Sequence, residues 1–489
     1  MNTLKETDLE ASTLNGHFPS LSGAKNDASS NISLTGIFNL IGLRPKDAFF
    51  VGLTFLLCLA CFHRQVVSAA GGPITIFLSV FAMLNPYSAV LFLAASQTLP
   101  DPPGFTFFTP ARLSAIGFAA TLVFNPRRIT ALAEGLRGLL IWLGPYLCFT
   151  VFKRVFIWGS APFDTNMLLA YATCLMATCY ADEIKGRHLT WLFTFCLGCV
   201  VPVAGWVFHN VGVDSVLVTI VNERYRLFFG RAANATNIGL VTGIVGLMAW
   251  WVVTGARKAS GTGFLGRIFP FFVYALIGTG AITVLASQSR GGAIALGIAS
   301  IATIVSGSRI HKLTWAGSRD MLKQFAATMC VVFGIAGAIY LIPETGMQQS
   351  VESMRAFSEM QMAQHQTNFI FSSRPDIYYN LLDFLESPIL GIMPGQWQHA
   401  TNMAHNVFVM IAKAFGIIGL LLYLRYFFGP TLRARKLYSK EEIWAFLICL
   451  FALFLGFSNL PFPNHKIFHV FNGMLIAMLA VSPSQGKAK

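Results

Sequence analysis

The chain has 489 residues, of which 55% are hydrophobic and only 11% charged, and its mean hydropathy is +0.61. A water-soluble domain carries roughly 25% charged residues, so the composition excludes a protein whose whole surface faces water. The net charge of +14 is scattered between apolar blocks and not gathered into a basic domain. That pattern fits lysine and arginine retained in cytoplasmic loops, and it argues against a nucleic-acid partner.

Residues 1–46 are rich in Ser, Asn, Thr and Gly, with mixed charge at Lys5, Glu6, Asp8, Glu10, Lys25 and Asp27. They lack a basic segment followed by an apolar one, so they read as a disordered cytoplasmic tail and not as a secretory signal. From residue 47 to 482 the chain alternates apolar blocks of spanning length with short polar or basic loops. Spans are expected at about 47–63, 66–84, 86–99, 111–125, 136–153, 163–181, 188–208, 234–254, 266–287, 290–306, 325–343, 404–428, 442–460 and 465–482. The fold class is therefore all-α, a polytopic transmembrane helical bundle of about 12–14 spans. The first three blocks are short or interrupted by Gly71, Gly72, Pro73 and Pro86, which leaves the count open at that end. Residues 483–489 form a short cytoplasmic tail.

Basic loops around Arg127/Arg128/Arg137, Asp182–Arg187, Arg257/Lys258/Arg267, Arg309–Lys323 and Arg433–Lys440 fall on one side of this layout. The positive-inside rule makes that side the cytoplasm and places the N-terminus there too. The other side carries a medium loop, about 209–233, and a long periplasmic loop, 344–403, whose apolar stretch 377–393 suits short helices on the membrane surface.

The cysteine pairs Cys58/Cys61 and Cys196/Cys199 have CxxC spacing but lie inside apolar blocks. They read as small apolar residues on one helix face, not as zinc ligands or a redox couple. His465 and His469 share a helical i,i+4 spacing, but no third ligand stands nearby, so no metal site is assigned.

Arginines on the outer side carry more information, because arginine is disfavoured in translocated segments. Arg224, Arg226 and Arg231 lie in the medium loop, Arg290 opens a span, and Arg374 lies in the long loop. Forked, permanently charged guanidinium groups suit phosphate oxygens; Arg231 taken alone reads rather as reaching lipid headgroups, whereas Arg290 favours an anionic ligand. Arg290 stands in Ser287-Gln288-Ser289-Arg290-Gly291-Gly292, where the glycines permit close approach and the serines add hydroxyls. A second constellation is Ser372-Ser373-Arg374-Pro375-Asp376, followed by Ala404-His405-Asn406 where the long loop enters a helix. A histidine at a wet interface keeps a pKa suited to accepting a proton; the alternative is that His405 or Asn406 caps the helix. Asp376 and Glu386 are candidates to orient His405.

These segments, in this order, resemble the O-antigen ligase and Wzy-type polymerase superfamily. The resemblance rests on GRAANATNIG at 230–239, the SRGG turn, SSRPDIYYNLLDFLESPILG at 372–391 and AHNVFVMIAKAFGIIG at 404–419. It implies an inner-membrane glycosyltransferase that moves a saccharide from undecaprenyl diphosphate to an acceptor sugar hydroxyl at the periplasmic face. It implies no metal, no nucleotide sugar and no other cofactor. The partners it implies are the lipid-linked donor, a glycan acceptor (lipid A-core or a growing polysaccharide) and membrane lipids. By the same resemblance Arg290 and Arg374 match the arginines that hold the diphosphate, and His405 matches the general base. Arg224, Arg226, Ser289 and Asn406 are further substrate-binding candidates. A ligase and a polymerase of O-antigen or exopolysaccharide both fit. The competing class is a polysaccharide or lipid transporter, which calls for ionisable residues at mid-membrane depth; the middles of these spans are nearly free of charge.

Overall fold

The computed structural model describes residues 41–62, 64–99, 101–102, 108–161, 165–184, 186–210, 233–258, 264–286, 290–310, 330, 375–393, 406–458 and 465–481. Within them the protein is all-α. In chain order the helices are α1 (Pro45–Phe62), α2 (Arg64–Met83), α3 (Pro86–Ala95), α4 (Pro110–Phe124), α5 (Arg127–Phe152), α6 (Thr165–Thr178) and α7 (His188–Asn210). They continue as α8 (Ala233–Lys258), α9 (Phe264–Ala286), α10 (Arg290–Ile310), α11 (Pro375–Glu386), α12 (Val407–Ala434), α13 (Lys440–Phe457) and α14 (Lys466–Val481). Each apolar block expected to span corresponds to one of these helices, except 325–343, which lies outside the described residues apart from Cys330.

Among the described residues, four segments are long and apolar enough to cross a membrane by themselves: Pro45–Phe62, Arg127–Ile157, Asn237–Thr254 and Val407–Ala434. Eight shorter apolar helices accompany them. In hydrocarbon every backbone N–H and C=O must be satisfied within the segment, which is why apolar blocks of this length fold as helices. The protein is thus a polytopic helical membrane protein.

Packing is layered from the centre outwards. Helix α8 lies at the middle against α7, α13, α9 and α10, and α14 packs on α6 and α12. Helix α3 is only ten residues long, and all ten are buried. A helix enclosed on every side has no lipid face and needs no spanning length. Aromatic side chains fill the seam between α12 and α14, where Phe427 and Phe468 stack at 4.3 Å between ring centroids. Large apolar residues such as Val123, Phe124, Leu140 and Ile301 point outwards, as expected of a surface solvated by acyl chains.

The end of the bundle formed by residues 42–47, 84–85, 125–128 and 182–188 is tied by charge. Arg128 is buried and donates Nε and Nη2 to the two carboxylate oxygens of Glu183, at 2.9 and 3.3 Å. It also donates to the carbonyls of Met83 and Leu84, at 2.9 and 3.0 Å. Arg128 thereby neutralises the C-terminal end of α2. Nearby, Asn85 caps α3 and donates Nδ2 to Asp47 at 2.8 Å. The sequence places Arg127 and Arg128 in a loop; instead α5 begins at Arg127, because Arg128 finds a carboxylate and two carbonyls that satisfy it inside the protein.

Helix α10 begins towards the opposite end. Trp444, early in α13, donates its indole N–H to Ser306 Oγ at 3.0 Å near the end of α10. Arg290 starts α10 sixteen residues earlier, about 24 Å along the helix axis. It therefore stands at the far end of the bundle from Trp444, where α12 begins.

Candidate functional site

At this end the helices do not simply stop; they are stitched together by buried polar contacts. Helix α12 starts with Asn406 as N-cap, extended at φ −154° and ψ 113°, with Oδ1 accepting from the N–H groups of Phe408 and Val409 at 3.0 and 3.1 Å. Asn406 was expected either to bind substrate or to cap the helix, and capping is the role its geometry shows.

The helix runs only to residue 415 before it breaks. Gly416 has φ 67° and ψ −172°, a conformation available to glycine and to almost nothing else. The break leaves carbonyls of the first half-helix without helical partners. Ile392 N–H donates to Lys413 O at 2.8 Å, and Ile417 N–H to Pro388 O at 2.8 Å. Residues 387–393 thus form a strap across the break. Gly391 (φ 71°) crosses it so closely that an added Cβ would sit 2.5 Å from Gly416 N and from Lys413 O.

Two lysines complete the stitching. Lys153, at the point where α5 passes into a π-helical turn (Lys153–Ile157), is buried and donates to the carbonyls of Leu390, Gly391 (2.9 Å) and Ala414 (2.7 Å). Its ammonium also faces the rings of Trp158 and Phe415, at 5.3 and 5.9 Å from their centroids. A cation over the C-terminal carbonyls of a half-helix opposes the negative end of its dipole. Lys413 is fully buried. It pairs with Asp383 Oδ2 at 2.7 Å and donates to Asn380 Oδ1 at 2.8 Å.

Asn380 and Asp383 are three residues apart and share one face of α11. Helix α11 thus buries Asn380 and Asp383 against the protein while Leu381, Leu385 and Glu386 remain exposed.

The sequence-predicted site residues meet this framework at three helix starts. Arg290 is the first residue of α10. Arg374 immediately precedes α11, and His405 immediately precedes the Asn406 cap. The side chain of Arg290, and the whole of Arg224, Arg226, Ser289, Arg374 and His405, lie outside the described residues. Helix N-termini present free N–H groups and the positive end of the dipole, an environment favourable to phosphate. Among the candidates to orient His405, Glu386 is exposed at the end of α11, and the side chain of Asp376 lies outside the described residues.

The sequence reading missed Lys153, Asn380, Asp383 and Lys413. Lys413 carried a signal: it is a charged residue inside the apolar block 404–428, the seventh residue of α12, where an ionisable group calls for a named partner. Asp383 was visible only as one of several acids in a long loop. The i,i+4 histidines are also resolved: His469 shares a hydrogen bond of 2.9 Å with the Tyr426 hydroxyl, and His465 precedes α14. No group of three or more possible metal ligands occurs among the described residues.

Residues 272–424 match the family model described as O-antigen ligase. The matched segment begins in α9 and ends in α12, and so contains Arg290, Arg374, Asn406, His405 and the whole stitched strap. No curated protein matches the chain.

Proposed function

From the match of residues 272–424 to the family model described as O-antigen ligase, we propose that this protein is an inner-membrane glycosyltransferase of that superfamily. Its donor is a saccharide on undecaprenyl diphosphate, and its acceptor is a sugar hydroxyl at the periplasmic face. Arg290 and Arg374 hold the diphosphate, with Arg224 and Arg226 as further phosphate contacts and Ser289 as a hydroxyl contact. His405 takes the proton of the acceptor hydroxyl. The acceptor oxygen then bonds to the anomeric carbon as the bond from that carbon to the diphosphate oxygen breaks, and the anomeric configuration inverts. Charge grows on the departing diphosphate, so fixed guanidinium groups stabilise the transition state more than the ground state. The reaction needs no metal, because the arginines supply the counter-charge.

The observation that carries this reading is the match itself, which spans all three proposed catalytic positions in one segment. The framework supports it, because α11 and α12, the helices that follow Arg374 and His405, are bound to each other by buried polar contacts. A transporter calls for ionisable groups along a path through the membrane. Among the described residues, the buried ion pairs lie towards the two ends of the bundle, at Arg128–Glu183 and Lys413–Asp383.

The test is to express Arg290→Ala and His405→Ala in the producing cell, verify insertion, and compare surface glycan profiles with wild type. Removal of one such charge-stabilising donor costs about a hundredfold or more in rate, so both variants should lose the polymer-bearing glycan. Free lipid-linked polymer with bare core marks a ligase; single repeat units on the core mark a polymerase. Unaltered surface polysaccharide in both variants overturns the enzyme reading.

A further inference from the structure

Outside the segment 272–424, one group of polar residues has no place in the chemistry proposed so far. His465 is 9% exposed and, among the described residues, is the only side chain with two buried polar atoms and no hydrogen bond on either. Buried polar atoms are nearly always paired, so an unpaired imidazole calls for a partner. The ring borders Phe457, at 6.0 Å between centroids, and the charge of Lys466, the first residue of α14, acts on it. Lys466 is partly buried and makes no hydrogen bond or ion pair among the described residues. Two charged groups act on it in turn: Arg112, near the start of α4, and the exposed Asp101, which forms no ion pair with it.

These residues lie at the end of the bundle where α12 begins. Phe408, the second residue of α12, packs on Phe454 at 4.9 Å between centroids, and Phe457 stands beside His465 one turn later in α13. Helix α4 also starts here, since it ends just before the Arg128 cluster. Along α4, Arg112 is followed at i+4, i+7 and i+11 by Ile116, Ala119 and Val123, all exposed. Residues so spaced share one helix face, so Arg112 tops an apolar stripe that faces acyl chains. A lipid lying along that stripe brings its headgroup to Arg112 and Lys466. Helices α4 and α14 pack on α2, α3, α5, α6 and α12, whereas α10, which Arg290 opens, packs on α8, α9 and α13. The two places that favour phosphate therefore belong to different sides of this end.

We propose that His465, Lys466 and Arg112 form a second phosphate site, which holds the phosphate nearest the lipid anchor of the acceptor. This rests on the function proposed above, in which donor and acceptor are both carried on lipid: Arg290 serves the donor diphosphate, and the second site serves the other substrate. Lys466 and Arg112 supply the charge, and His465 donates a ring N–H to a phosphate oxygen. The three are binding residues and take no part in breaking or forming the glycosidic bond.

The test uses full-length wild type, Lys466→Gln, His465→Phe and, as a control at the other end of the bundle, Lys440→Gln. The probe is the acceptor glycolipid extracted from the producing cells, before and after phosphatase treatment, with binding read by native mass spectrometry. Lys466→Gln and His465→Phe should each bind the untreated acceptor at least about tenfold more weakly than wild type, the loss expected for a charge-assisted hydrogen bond. They should bind the treated acceptor as wild type does, and Lys440→Gln should bind both normally. His465→Phe removes an unpaired buried imidazole beside an aromatic ring, so its thermal stability should not fall. A merely structural role predicts the reverse, stability lost and both acceptor forms bound equally less well, and that result overturns the proposal. Should Lys466→Gln not fold, Arg112→Gln is judged by the same criteria. Phosphatidic acid that binds wild type as tightly as the acceptor, and is lost alike in both variants, assigns the site to bulk phospholipid and overturns the acceptor's claim to it. In liposomes, Lys466→Gln should raise the acceptor KM about tenfold and leave the donor KM within about threefold. Wild type that transfers while both variants keep wild-type acceptor affinity overturns the site alone. Wild type that binds the acceptor through its phosphate but transfers nothing overturns the glycosyltransferase reading and leaves the phosphate site standing.

Discussion

Lys153 offers a test that does not depend on knowing the substrate. Replacing it by methionine keeps most of the side-chain volume but removes an ammonium that serves three carbonyls, those of Leu390, Gly391 and Ala414. Hydrogen bonds from a charged donor contribute roughly 1.5–3 kcal/mol each. The desolvation of a buried ammonium offsets part of that, so about 1 kcal/mol per bond, or about 3 kcal/mol in all, is the appropriate scale. At 1.4 kcal/mol per factor of ten, the strap should open about a hundredfold more often. The reporters are the amides of Ile392 and Ile417, which bond across the break to Lys413 O and Pro388 O. Hydrogen exchange followed by mass spectrometry should show both amides accelerated by about a hundredfold in Lys153→Met. Amides around Arg128, at the other end of the bundle, should be unchanged. Acceleration below threefold at Ile392 and Ile417 would refute the view that Lys153 holds the strap closed.

Gly416→Ala places a Cβ against the Ile389 carbonyl at a φ of 67°; it should cost about 3 kcal/mol or more, read as loss of folded protein or of the transition in a thermal scan. Arg128→Met leaves Glu183 and two carbonyls unanswered. Because Glu183 is partly exposed, the expected loss is about 2–3 kcal/mol of thermal stability, and a loss below 0.5 kcal/mol would show the pair to be idle. Asn406→Ala removes the two cap hydrogen bonds of α12, which should lower stability by about 1 kcal/mol. Asn406→Asp or Asn406→Ser should retain it, and unequal activity among equally stable cap variants would show that Asn406 also contacts substrate.

The architecture was legible because lipid makes a simple demand: an apolar block of spanning length must satisfy its own backbone, and only a helix does so within one segment. Blocks such as 188–208 and 234–254 needed no partner to be read correctly, and α7 and α8 fall where they were expected. The site was legible only in part. Arg290, Arg374 and His405 stood out by charge on the side expected to be translocated and by resemblance, yet the residues that tie α5, α11 and α12 together did not. Lys153 and Asp383 become informative only once α5, the strap and α11 are brought together, and no local pattern encodes that meeting. Gly416 illustrates the same limit. Its segment, Ala414-Phe415-Gly416-Ile417-Ile418-Gly419, is as apolar as the rest of the block. The break exists because residues 388–392 pack there and supply both the N–H (Ile392) and the C=O (Pro388) that a continuous helix would otherwise provide.

The most direct test of the function is reconstitution. Purified full-length protein in liposomes, given undecaprenyl-diphosphate-linked oligosaccharide and the cognate glycolipid acceptor, should form the longer glycolipid and release undecaprenyl diphosphate. His405→Ala and Arg290→Ala, folded to the same extent, should each reduce that release by about a hundredfold or more. Folded wild type that releases none, or a His405→Ala variant that releases it at the wild-type rate, would contradict the account.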